Sequence, residues 1–528
     1  MVHVANHLMS HILHFYHLVA LDYVKPVAFL GGAFAPLTRP FLAPRYNDNY
    51  YINTARVLAV AGLLPPAAVA TLSTLPGWLV DPGDAINNYL VGQYLRALNI
   101  RRTCHELQAI FSGRAPQCNG FTPGGVTTSF TAADIASANA KLAQVKAFVG
   151  EPTDFATGTA GTMMFDVVAA AHLFPEYFWI GNSYSRFMAY GWGEAAGTVP
   201  LTGVLASIFG PSYTNADQRL QMRGWKTSAA PGALANAVDI MKIGESIAGS
   251  RYKKDLAGNY PDGIGWKHPW KGQTKPKPLN EYSWLKSPGY DVGGGNYQRF
   301  EVGPLSRLVV NGFYFAGVLN AAGYGVTPLF GAPGPDCDGG GDLIGGALKP
   351  VYALLGNTGG PNLSGVTYSG DSVLDRIAAR AIETRLMIDM AQHVLNQLQG
   401  SIGGDGYGTS GVTDPAVPVS TTIKKGYGMT EASRGALSHW IKMQNGKILK
   451  HQAVVPTTWN ASPRDVNGNP GPAEQSLQGN GGAWIADATQ PIELPRITHS
   501  YDFCIACAVH LITPKGEKIT VDIPALPG

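Results

Sequence analysis

Five cysteines in 528 residues are too few and too scattered for a disulfide framework, since only Cys504 and Cys507 lie close together. Charge is scarce as well: Asp, Glu, Lys and Arg make up 14% of the chain, against roughly 25% in an ordinary globular protein. The net charge of +3 gives nucleic acid no electrostatic reason to bind. Long apolar runs are missing too. The most apolar region, residues 57–80, is interrupted by Pro65, Pro66 and Pro76, so no membrane span is expected. The opening MVHVANHLMSHILHFYHL carries histidines where a signal peptide needs a basic start and an unbroken apolar stretch. Export is therefore expected to depend on another chain.

What is present is glycine, proline and apolar residues: 65 Gly, 37 Pro and a 45% apolar fraction, enough for a large, loop-rich buried body. Met1 to Val24 reads as a helix that opens without a cap and stops before Pro26. A second helix should start at Thr131, with Asp134 three residues on. Its stripe is Ile135, Ala138, Leu142, Val145 and Val149, and Gly150 ends it. The clearest periodicity follows Ser372 and Asp375, where Val373, Ile377, Ala381, Thr384, Ile388, Ala391, Leu395 and Leu398 mark a central bundle helix. Residues 259–303 and 330–346, rich in Gly, Pro, Trp and Tyr, read as ordered loops with short strands. No repeat and no low-complexity linker divides the chain. The expected fold is mainly α with β excursions (α+β), one large domain around a central bundle of long helices.

Most local motifs are weak. No stretch fits a phosphate-binding loop, and the glycines at 339–341 and 345–346 miss the dinucleotide pattern. The sequon Asn460-Ala461-Ser462 is read as a chance match. His3, His7, His11 and His14 share one helix face, where they could chelate zinc; with Phe15 and Tyr16 adjacent, a buried structural stripe is the preferred reading. The segment DFCIACAVH is the most chemical. Two thiolates two residues apart, Cys504 and Cys507, can grip a soft metal ion, and His510 can join its first or outer shell. A redox dithiol should open a helix after an early strand, zinc needs two further ligands, and Ala508 excludes haem attachment.

The same segment, THSYDFCIACAVH, resembles the C-terminal metal signature of the large subunit of [NiFe] hydrogenases. The likeness recurs in order along the chain, in SHILHFYHLVALDYV from Ser10, AIFSGRAPQCNGFTPGGVT from Ala109 and EYSWLKSPGYD from Glu281. It continues in EVGPLSR from Glu301, EASRGALSHW from Glu431 and VVPTTWNASPRD from Val454. HFYHL and PTTWNASPRD look most like the respiratory, membrane-associated uptake branch. The resemblance implies nickel held by four thiolates, two of them shared with an iron carrying carbon monoxide and cyanide, and a nearby magnesium. It assigns Cys504 and Cys507 to nickel, His510 to the magnesium region, and Pro463, Arg464 and Asp502 to a polar canopy over the open metal position. Hydrogen would be split heterolytically and its electrons passed to an iron–sulfur small subunit. A membrane cytochrome b and a location on the periplasmic side, reached together with the small subunit, are further implications. Residues 511–528 would be a propeptide removed on maturation, leaving 1–510 as the functional domain.

Departures from the family pattern are equally specific. Its other cysteine pair, R-x-C-G-x-C, is absent from these 528 residues, as is the upstream Glu of the proton exit. Half the ligand set is expected from upstream sequence or from a separate short polypeptide. Ser10 stands where many relatives place a canopy Asp, Gln117 where a His usually follows Pro116, and Phe503 where Pro is common. The rival reading is a non-catalytic or quinone-linked relative that kept the fold as a platform. A chain freed from metal binding would have no need for two close thiols at a buried site, so the catalytic reading is preferred.

Overall fold

The computed structural model describes residues 1–25, 50–60, 64–122, 125–178, 180–193, 197–215, 217–227, 235–277, 281–312, 370–402, 420–479 and 491–504. Cys337, Cys507, His510 and residues 330–346 and 511–528 lie outside them.

Four helices form the main core. Helix α1 (Val2–His14) runs into a π turn at Phe15–Val19 and a 3-10 turn at Ala20–Asp22, close to the expected span. Helix α2 (Pro82–Ser112) starts at Asp81, whose carboxylate accepts the Asp84 amide, and stops at Gly113 in the left-handed region. Helix α3 (Ala132–Val149) opens on the reciprocal Thr131–Asp134 capping box, and its stripe from Ile135 to Val149 is buried as expected. A second capping box, Ser372 with Asp375, opens helix α4 (Val373–Ser401). Helix α1 packs on α2 and α4, and α3 packs on the same two, so α4 lies inside the bundle and is buried on every face from Val373 to Ala391. Their apolar faces merge into one large cluster that includes Leu8, Ile12, Leu107, Leu142, Ile388 and Leu395.

The β structure is peripheral and antiparallel. Strands β1 (Phe187–Ala189) and β2 (Gly224–Lys226) pair, and β3 (Ile243–Ser246) pairs with β4 (Ser287–Asp291), which also carries β5 (Tyr297–Gln298). The short strands within 259–303 thus match the expectation. A larger sheet, β6 (Lys424–Ala432), β7 (Gly435–Gln444) and β8 (Lys447–Val454), was not anticipated. Its second turn is Asn445-Gly446 with φ of +50° and +70°, the conformation a two-residue hairpin demands. Met188, Tyr190, Tyr290, Phe300, Trp440 and Trp459 fill a second apolar cluster between these sheets. The fold is the α+β body read from the sequence, and none of the helices among the described residues is long and apolar enough to cross a membrane.

Candidate metal centre

Residues far apart in the chain meet at the segment Ser500 to Cys504: Arg376 and Arg380 of α4, Arg434 and Thr457. The C-terminal signature arrives by the helix Glu493–Ser500, after which Tyr501 and Asp502 turn the chain. Tyr501 is anchored by the Arg376 guanidinium 3.9 Å above its ring and by a 2.6 Å hydrogen bond between its hydroxyl and Ser476. Phe503 stacks on Tyr501 with ring centroids 5.5 Å apart, a contact that proline could not make. Cys504 then presents a free, half-buried thiol, while its amide donates to Thr457 Oγ1 at 3.2 Å.

Thr457 belongs to the short helix Pro456–Asn460 of the PTTWNASPRD motif, begun by Pro456 where no amide is needed. That motif is stitched to the EVGPLSR segment. Asn460 accepts from the Val302 amide and donates to its carbonyl, at 3.0 and 2.7 Å, and buried Arg299 donates to Ser462 Oγ and to the Pro463 carbonyl. Asn460 is thereby committed and buried, which removes the sequon as a glycan acceptor. Pro463 is buried, its carbonyl also accepting from Ser287 Oγ at 2.7 Å. Arg464 has a fixed backbone, its amide donating to the Tyr282 hydroxyl and its carbonyl accepting from the Gly249 amide. Its side chain is exposed, and among the described residues the guanidinium hydrogen-bonds the Gly468 carbonyl.

Asp502 is 3% exposed and is gripped by a residue the sequence reading gave no role, Arg434 of the EASRG motif. Arg434 Nε donates to the Asp502 carbonyl at 3.0 Å and Nη2 lies 3.1 Å from Oδ1. Arg380, on α4, donates to the Ser500 carbonyl at 2.7 Å and is brought down to about 10 by burial, opposed by the Asp502 charge. It stays a cation at neutral pH.

Behind this layer lies a buried ion network. Arg307 reaches both oxygens of Glu383 at 2.7 and 2.6 Å and one of Glu431 at 2.8 Å. Glu383 also accepts from His11 Nε2 at 2.8 Å and Gln221 Nε2 at 2.6 Å. Burial alone would raise its carboxyl, but Arg307 and His11 hold it well below the usual carboxylate range. Burial wins at Glu431, which is pushed up to about 7 against the pull of Arg307. One guanidinium thus serves two carboxyls, of which one can keep a proton near neutrality. His3, His7, His11 and His14 are all depressed by burial and are neutral, with ring centroids of His3 and His7 4.5 Å apart and His3 packed 4.7 Å from Trp192. They form the packing stripe of α1, as preferred from the sequence.

The donor set suits a soft, thiolate-bound metal. Cys504 is a free thiol, and two guanidiniums hold the backbone that leads to it, Arg380 at Ser500 and Arg434 at Asp502. Arg380 Nε and His14 Nδ1 are buried without a hydrogen-bond partner among the described residues.

The family model of nickel-dependent hydrogenases matches residues 83–317 and 362–510, most of the chain and the whole of the C-terminal signature. The large subunit of the periplasmic [NiFeSe] hydrogenase of Desulfomicrobium baculatum is 29% identical over 98% of this chain and 79% of its own length. The uptake hydrogenase large subunit of Rhizobium leguminosarum bv. viciae is 28% identical over 97% and 80%. A solved structure of the hydrogen-activated D. baculatum enzyme superposes with a TM-score of 0.62 at 27% identity, covering 96% of this chain and 81% of that one. With the PTTWNASPRD and EASRG motifs meeting its C-terminal signature and this match along its length, the chain belongs to the nickel-dependent hydrogenases, oxidoreductases acting on molecular hydrogen, as a large subunit.

Proposed function

We propose that the chain is the catalytic large subunit of a hydrogen-oxidising enzyme in which Cys504 and Cys507 hold nickel. The observation that carries this reading is the free thiol of Cys504, held by its amide on Thr457 and followed after two residues by a second cysteine. Nickel, together with an iron bearing carbon monoxide and cyanide, would supply the polarisation that splits hydrogen heterolytically. The remaining two thiolates come from outside these 528 residues, from upstream sequence or a short separate polypeptide. His510 would sit in the magnesium region.

The chain's own residues supply orientation and charge. Asp502 places a buried carboxylate of the canopy two residues from the thiol, paired with Arg434. Pro463 shapes the canopy from a backbone fixed by Ser287 and Arg299. Arg464 would bring a permanent cation to the open face, moving its guanidinium from the Gly468 carbonyl on a backbone that is already fixed.

The partner is an iron–sulfur small subunit, since the cysteines of this chain are too dispersed to ligate a cluster beside the nickel thiolates. A periplasmic location is supported by the name of the D. baculatum relative; membrane association, with a membrane cytochrome b as the onward electron acceptor, belongs to the same reading through the sequence's likeness to the uptake branch. Residues 511–528 are read as the propeptide.

The test is metal content in the purified complex. Nickel should be stoichiometric in the wild type and absent from Cys504→Ser and Cys507→Ser, and active material should have an intact mass ending at His510. Full nickel in Cys504→Ser removes that residue from the ligand set.

A further inference from the structure

We propose that Arg434 is a positioning residue for the nickel site, holding Asp502 in a left-handed conformation and so fixing the direction in which Cys504 is presented. This rests on the reading of Cys504 as a nickel ligand.

Asp502 has φ +58°, a region that residues with a Cβ seldom occupy unless neighbours hold them there. Its amide donates to the His499 carbonyl at 3.0 Å. Its other two polar groups, carbonyl and carboxylate, both go to one guanidinium, Arg434 Nε and Nη2. A planar fork can meet a main-chain oxygen and a side-chain oxygen of the same residue together, and an ammonium cannot meet both with fixed geometry. Beyond Asp502 only Phe503 intervenes before the Cys504 amide is fixed on Thr457. The backbone between the two anchors therefore has little freedom once Arg434 is in place.

Arg434 itself starts from a rigid point. It occupies, with Ser433, the two-residue turn between β6 and β7, where Ala432 pairs with Gly435. Buried Arg307 donates to the Ala432 and Ser433 carbonyls, both at 2.9 Å, while its remaining bonds tie it to Glu383 on α4 and Glu431 on β6. The turn also presses backbone to backbone on Gly303: a Cβ added at Gly435, which has φ +133°, would lie 2.8 Å from the Gly303 nitrogen. The ion network at the centre of the bundle thus ends in one guanidinium on Asp502.

The experiment uses the complex carrying Arg434→Gln, Arg434→Lys, and each combined with Asp502→Gly, and reads nickel per chain and the thiolate-to-nickel charge-transfer absorption. Arg434→Gln should lose nickel at least fivefold or shift the absorption band, and Arg434→Lys should not restore either. Asp502→Gly in these backgrounds should restore nickel, because glycine takes positive φ unaided. A general loss of stability would not be repaired that way. Wild-type nickel and an unchanged band in Arg434→Gln overturn the proposal, as does failure of the glycine rescue. Should Arg434→Gln aggregate, the lysine variant and its glycine rescue apply the same criteria. A wild-type complex without nickel would instead sink the ligand reading on which the proposal stands.

Discussion

On the proposed reading, Arg434 and Arg464 divide the work of binding and chemistry at the level of single residues. Arg434 is committed to Asp502 by two contacts, whereas Arg464 hangs exposed from a fixed backbone and holds one loop carbonyl. Arg464→Lys should therefore lower hydrogen oxidation a hundredfold or more while nickel stays at the wild-type level, because lysine keeps the charge and loses the planar fork. Parallel steady-state assays and metal analysis check this, and unchanged turnover would remove Arg464 from the mechanism. Cys504, Cys507, Pro463, Arg464 and Asp502 could be named from the sequence because metal-ligating thiols and their motif are local and ordered. Arg434, Arg380 and Thr457 could not be given roles, although Arg434 stands inside a quoted motif. Their function arises from contacts 68, 120 and 47 residues away in the chain, which no spacing rule encodes.

Among the elements, legibility followed capping and periodicity. Helices α3 and α4 announce themselves through capping boxes and clean apolar stripes, and both appear where the sequence puts them. Helix α2, at 31 residues, escaped because polar side chains interrupt its buried face. Asn87 donates to the Ile52 carbonyl, Gln93 to the Asp166 carboxylate and Gln108 to the Pro116 carbonyl, so each amide nitrogen has a partner inside while the polar side chains blur the pattern. The β6–β8 sheet carried one usable signal, Asn445-Gly446, but its strands face solvent too widely for clear alternation. Helix α1 makes its own prediction. Its four histidines are held neutral by burial, with His3 down to about 4, against an ordinary value of 6.5 in the unfolded chain. Groups depressed on folding contribute stability that is present above about pH 6.5 and lost as pH falls toward their folded values. Thermal unfolding should therefore move down steeply between pH 7 and 5, with more than one proton taken up. His14→Asn should lower the melting temperature at pH 8 yet leave a shallower pH dependence; an identical slope would refute the assignment.

For the whole molecule, the decisive feature is where charge can travel. The bundle encloses an ion network running from Glu383 through Arg307 to the Arg434 turn, and it ends at Asp502. On the proposed reading that arrangement would orient the nickel ligand, but among the described residues it holds no redox group that could carry electrons away. Cys104 is fully buried on α2 with its thiol pushed up to about 12 by burial, and Cys118 accepts from Gln108, so neither resembles a cluster ligand. No group of three or more His, Cys, Asp or Glu poised for a metal occurs among the described residues. Hydrogen splitting would take place at the nickel, while oxidation to completion requires two electrons to leave. A nickel-replete preparation of the complex should therefore reduce a viologen dye with hydrogen, and removal of the iron–sulfur subunit should abolish that reduction even where nickel is retained. Dye reduction at the full rate by the large subunit alone would show that electrons exit through this chain itself, and the division of labour between two subunits would have to be abandoned.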